Sequence, residues 1–170
     1  AALRLAAMDL YRQKQDGNRA ALLCWGMVLA RYPFVRQVAE IIGRLLRLQG
    51  DVKQEQLKRK VRETFGERET SVRSGRYAVS LINDFGFIRL EGRSGHYVKG
   101  DSLKVDDAKL AAWLLQAVFL SLGSRKEIPK DELLANPALF MIGSDAVLRL
   151  ALTTQRFRLG RESLAHELVL

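Results

Sequence analysis

Phe87-Ile-Arg-Leu-Glu91, Gly92-Arg-Ser-Gly95 and His96-Tyr-Val-Lys99 make up the stretch on which the fold turns. Two short runs of strand-forming residues flank a segment that begins and ends in glycine, the pattern of a β-hairpin. Its tip, Arg93-Ser94, is small, polar and cationic. Phe85-Gly86 stands just before it and closes a helical pattern over about residues 68–84. Val72, Gly75, Val79 and Ile82 form the inner stripe of that helix, flanked by Ala78 and Phe85. At 100° per residue the opposite side presents Glu69, Thr70, Arg73, Arg76, Tyr77 and Ser80. Ser74 and Gly75 are poor helix formers, so tertiary packing must hold this helix. A small residue at 75 lets it approach the preceding helix closely.

That preceding helix is predicted over about 53–65, with Leu57, Val61 and Phe65 inward at i, i+4, i+8. Its outer face carries Lys53, Lys58, Arg59, Lys60 and Arg62, and Gly66 stops it. Before it lies a helix over about 34–48, whose stripe is Val35, Val38, Ile41, Ile42, Leu45 and Leu46, ended by Gln49-Gly50-Asp51. A helix, a basic helix, a second basic helix and a hairpin, in that order, read as a winged helix-turn-helix over 34–101. The second basic helix of such a unit usually enters a DNA major groove while the hairpin grips the flanking backbone.

On this reading Arg73 and Arg76 contact bases or phosphates, and Thr70, Tyr77 and Ser80 add polar contacts. Lys53, Lys58, Arg59, Lys60, Arg62 and Arg93 mainly hold phosphates. Arg68 and His96 complete the candidate set, His96 as a surface or phosphate-contacting residue. Tyr77 has two readings, a contact to nucleic acid or a ring packed under the hairpin.

Outside this unit, residues 1–33 read as a helical hairpin packing on the core: a helix over 3–15, a turn at Gln15-Asp16-Gly17-Asn18, and a helix over 19–31. Asn18 is expected to cap the latter. Leu22, Leu23, Trp25, Met27, Val28 and Leu29 make that helix apolar on most sides, hence buried, with Trp25 and Cys24 as core residues. Residues 102–170 read as a small α/β region. Leu103-Lys-Val is a possible short strand. Asp106-Asp107 cap an apolar helix over 107–122, and Pro129 opens a short helix closed by Asn136-Pro137. Leu139-Phe-Met-Ile is a strand or a packed loop, and Ser144 or Asp145 caps a helix to Leu152. Strands are expected at Gln155–Leu159 and Glu167–Leu170, around a turn at Gly160-Arg-Glu-Ser163. The fold class is therefore mainly α (α+β).

The net charge of +9 is unevenly placed. Residues 1–50 hold 8 basic and 3 acidic side chains, residues 51–105 hold 12 and 8, and residues 106–170 hold 8 of each. A basic part joined to a neutral part suggests a surface that faces a polyanion. A hydrophobic content of 48% and a charged content of 28% exclude disorder as the main state. The longest apolar run, Leu110–Leu122, is too short to cross a bilayer. One cysteine, Cys24, excludes an intrachain disulfide and fits a reducing cytoplasm; one cysteine and two histidines exclude a four-ligand zinc site of those residues. Beginning at Ala1 inside a helical pattern, the chain is expected to be trimmed from a longer one.

The nucleotide-binding and nucleophile-elbow signatures G-x-x-x-x-G-K-[ST], G-x-G-x-x-G and G-x-S-x-G are absent. Asp106-Asp107 and Asp131-Glu132 fall at helix starts and read as caps rather than a catalytic pair. No enzyme and no cofactor are expected.

Leu22-Leu23, Trp25, Arg31-Tyr32-Pro33-Phe34 and Val38, with Asn136-Pro137-Ala138-Leu139-Phe140 and Glu167-Leu168-Val169-Leu170 further on, resemble the pattern of small winged-helix proteins of bacterial phage-defence islands, namely the BrxA family of BREX systems. The resemblance covers about residues 18–90 and patches near the end, and its motifs are mostly apolar. It implies DNA binding without catalysis, as an accessory subunit in a defence context. The expected partner is double-stranded DNA, with other protein subunits on the C-terminal region. The alternatives are a protein–protein adaptor within a multi-subunit complex and a transcriptional regulator.

Overall fold

The computed structural model describes residues 2–92, 95–123, 127–143, 149, 151, 159–163 and 166–169. Among them helix predominates, with small antiparallel sheets, a mainly helical α+β protein. The chain divides into two compact units: Ala1–Pro33 with Leu103–Asn136 and Ile142–Leu170, and Phe34–Ser102 with Pro137–Met141.

The first unit is built on α1 (Ala2–Gln13), α2 (Gly17–Arg31) and α6 (Ala108–Ser121), with β4 (Ile128–Pro129), α7 (Lys130–Leu134), β5 (Leu159–Ser163) and β6 (His166–Val169). Gly26 is what lets α2 meet α6. A Cβ there would lie 2.4 Å from the Trp113 ring, closer than any real contact. The Trp113 indole N–H donates to the Leu3 carbonyl at 2.9 Å, which ties α1 to the same point. Leu22, Trp25 and Leu29 are fully buried, but Cys24 is exposed and is not a core residue. Two residues after Leu22, it falls on the far side of α2 from the Leu22–Trp25–Leu29 stripe. The cap of α2 is Asp16, which accepts from the Arg19 N–H at 2.8 Å, and not Asn18. Asn18 instead bridges to the backbone of Lys104 in both directions.

Asp107 caps α6 through the Leu110 N–H at 2.8 Å. Asp106 does other work. It accepts from the buried Arg19 guanidinium at 2.9 Å and from the Lys14 ammonium, while Arg19 also reaches Asp107 and the Leu10 carbonyl. Lys14, hydrogen-bonded to Asp106, and Arg19 hold that carboxyl below the ordinary range against the opposing effect of burial. Burial alone would lower the Arg19 pKa, and the two aspartates more than reverse it.

β4, β6 and β5 form an antiparallel sheet in that order. The turn expected at Gly160–Ser163 lies within β5, so the sequence-predicted strand and turn are shifted along the chain. Leu103 makes a single bridge to Ile142, not a strand, and Pro137–Leu139 is a 3-10 turn. Of the helix expected over 144–152 only Arg149 and Ala151 are described, both helical, and most of the strand from Gln155 falls outside the described residues.

The second unit runs α3 (Pro33–Gln49), β1 (Asp51–Lys53), α4 (Gln54–Phe65), α5 (Glu69–Asp84), β2 (Ile88–Glu91) and β3 (His96–Lys99). The strands form an antiparallel sheet in the order β1-β3-β2. Val52, Tyr97 and Leu90 face one another across it, and Ile88 lies on the same face. Val52, Ile88, Phe87, Ile42, Val38 and Ile82 are fully buried and make the core. Gly43 of α3 sits against the Pro137 carbonyl, where a Cβ would lie 2.0 Å from the oxygen, so the Pro137–Met141 segment docks on bare helix. Phe65 closes the end of α4 with its ring 4.2 Å from that of Phe34. Among the described residues, no helix is long and apolar enough to cross a membrane.

Candidate nucleic-acid interface

Gly75 sets the relation of α4 to α5. Its Cα faces Val61, and a Cβ would come within 2.9 Å of the valine Cγ1. The small residue read from the sequence as a close-approach point occupies one. With Gly75, Ala78 and Ile82 turned inward, the opposite arc of α5 is left to solvent. Thr70, Arg73, Arg76, Tyr77 and Ser80 are all exposed. Tyr77 is 70% exposed, so its ring does not pack under the hairpin. Among the described residues, Arg73 and Arg76 form no salt bridge.

The cations of α4 divide into two groups. Lys58 pairs with Glu55 at 2.5 Å, and Lys60 and Arg59 share Glu63 at 2.9 and 3.6 Å. These i,i+3 and i,i+4 pairs follow from helical spacing, which brings such positions side by side. The Lys58 ammonium holds Glu55 below the ordinary carboxylate range, and Lys60 does the same to Glu63. Arg62 is exposed and unpaired among the described residues, as is Arg68 at the start of α5.

Lys53 was expected on the outer face of the fourth helix and instead ends β1. The strand was missed because Asp51-Val-Lys53 is only three residues and forms through its partner: Val52 pairs with Tyr97 and Lys53 with His96. Lys53 is exposed there. His96 is half-buried, its Nδ1 2.6 Å from Asp51 Oδ2. Sequence reading found no carboxylate for it, since Asp51 comes alongside only through the β1–β3 register. Arg93 lies outside the described residues.

A groove of about 450 Å³ opens beside this face, between α4, α5 and the hairpin. Leu57, Val61, Val72, Val79, Leu90 and Tyr97 line it, with Arg62 and Arg76 among its polar residues. Val72 and Val79, read from the sequence as inner-stripe residues, are only half-buried, and Leu90 is 49% exposed. No group of three or more histidines, cysteines or carboxylates that could hold a metal ion occurs among the described residues. Comparison with known protein families, curated proteins and solved structures finds no significant match to this chain.

Proposed function

We propose that Phe34–Ser102 is a winged helix-turn-helix that binds double-stranded DNA without catalysis. The observation that carries the reading is the solvent-facing arc of α5, where Arg73 and Arg76, in no salt bridge among the described residues, stand beside Thr70, Tyr77 and Ser80. This mixture can donate to phosphate oxygens and to base edges, and Arg can bind guanine in bidentate fashion. The order α3-β1-α4-α5-β2-β3 with sheet order β1-β3-β2 supports it, because the two helices and the hairpin then present to one ligand. Arg62, Arg68, Lys53 and Arg93 serve as phosphate holders. Lys58, Arg59 and Lys60 take a smaller part, since Glu55 and Glu63 already engage them. On the resemblance to BrxA-like proteins, the proposal extends to an accessory subunit of a bacterial phage-defence system, in the cytoplasm.

The test is titration of a labelled random-sequence duplex with wild type and with Arg73→Ala plus Arg76→Ala. Salt-sensitive binding that is lost in the double variant supports the proposal. No binding even at low salt rejects it in favour of the adaptor reading, which Glu63, Glu67 and Glu69 beside the presumed DNA face favour. Capture of partner subunits by the purified chain would then be the next measurement.

A further inference from the structure

The apolar floor of the groove beside α5 is left unused by the DNA reading. A nucleic-acid backbone needs donors and cations, whereas this floor is built of Leu57, Val61, Val72, Val79, Leu90 and Tyr97. Leu57 and Val61 belong to the core, at 3% and 4% exposure, while Val72, Val79 and Tyr97 are half-buried and Leu90 is half-exposed. The groove forms because Gly75 draws α5 onto Val61 while the Leu90–Tyr97 cross-strand pair stands off on the hairpin. Its volume of about 450 Å³ is within the range of small-molecule sites, which are mostly apolar with a few placed polar groups.

The polar groups are of one sign. Lys58, Arg62 and Arg76 contribute to the lining, joined by the neutral Gln54, Ser80 and Asn83, and no carboxylate lines the groove among the described residues. Lys58 is held by Glu55, whose charge also acts on Arg62 at longer range, while Arg62 and Arg76 make no salt bridge among the described residues and so can meet an occupant. The geometry points to a binding site for a small amphipathic anion, with its apolar body on the valine, leucine and tyrosine floor and its carboxylate or equivalent acid group on Arg62 and Arg76. The inference rests on the groove and its charge, and it stands whether or not the unit binds DNA. Because Arg62 and Arg76 are both assigned above to DNA, an occupant of the groove would engage two side chains of that surface.

Decanoate serves as the probe, with decanol as its uncharged counterpart, followed by amide shifts in the ¹⁵N-labelled full chain. Saturable one-to-one binding of decanoate is expected, with shifts centred on Val61, Val72, Val79, Leu90 and Tyr97. Decanol is expected to bind at least about tenfold more weakly, the effect of losing even one of the two charge-assisted contacts. Arg62→Gln plus Arg76→Gln, two exposed positions whose loss leaves the core intact, should bring decanoate down to the decanol affinity. Val79→Trp, which fills the groove, should abolish binding of both. Equal wild-type affinity for the two probes, shifts scattered away from the groove, or no saturable binding overturns the inference. So does an unchanged decanoate preference in the double glutamine variant.

Discussion

Salt dependence discriminates between the cations that the fold leaves available and those it already pairs. If the five exposed side chains Lys53, Arg62, Arg68, Arg73 and Arg76, none in a salt bridge among the described residues, neutralise phosphates, they alone contribute about −4.5 to the slope of log K against log[salt]. A rise from about 50 to 200 mM salt then weakens binding about 500-fold. Adding Lys58, Arg59 and Lys60 would make the slope about −7 and the loss about 20,000-fold over the same interval. Arg73→Ala plus Arg76→Ala should flatten the slope by about 1.8. Lys60→Ala should barely change it, because Glu63 lies 2.9 Å from that ammonium. Glu63→Gln provides the converse test: it releases both Lys60 and Arg59 and should steepen the slope by about one to two. Because exposed pairs of this kind contribute at most about 1 kcal/mol, the fold should tolerate each change. Fluorescence anisotropy on a random duplex across a salt series measures all of them. A slope in the double arginine variant equal to wild type, with Lys60→Ala flattening it instead, would refute the assignment of α5 to DNA.

Gly26→Ala drives a methyl into the Trp113 ring and should destabilise the chain by about 1–3 kcal/mol or more in urea unfolding. Gly75→Ala meets Val61 at 2.9 Å, but alanine's helix propensity returns about 1 kcal/mol, so its net cost should be the smaller of the two. Asp106→Asn leaves Arg19 with Asp107 as its one carboxylate partner among the described residues and should cost about 1–2 kcal/mol at neutral pH, moderated by solvent around a partly exposed carboxylate. Since the folded-state pKa of Asp106 is depressed, its contribution is present above the unfolded value near 3.8 and is lost as pH falls through the folded value. Unfolding curves between about pH 2 and 7 should therefore show a shallower acid limb in Asp106→Asn. His96→Ala should change duplex affinity less than about twofold, since that ring is committed to Asp51; a loss matching Arg76→Ala would show a direct phosphate contact.

Legibility in this sequence follows interaction range. The helices declare themselves because 3.6-residue periodicity and local stops, such as Gly66, Gly86 and Pro33, are written within a few residues. The exposed arc of α5 was legible for the same reason: an arc is fixed by its own helix. Features that need a distant partner were not. Asp51–Lys53 is a strand only because β3 returns beside it, and the same return gives His96 its carboxylate. Asp16 and Asn18 offer equivalent capping chemistry two residues apart, and the backbone of Lys104 decides between them by occupying Asn18. Cys24 was misplaced because a helix apolar on most sides does not tell which side its neighbour takes; Trp113 at Gly26 does. Val72 and Val79 carry the instructive error. Periodicity puts them on the buried stripe, yet close packing at Gly75 leaves them beside an open groove. A periodic apolar residue that the fold does not cover is therefore evidence about a ligand as much as about a core. Here Arg62 and Arg76 at the same groove, in no salt bridge among the described residues, give the proposed ligand its sign.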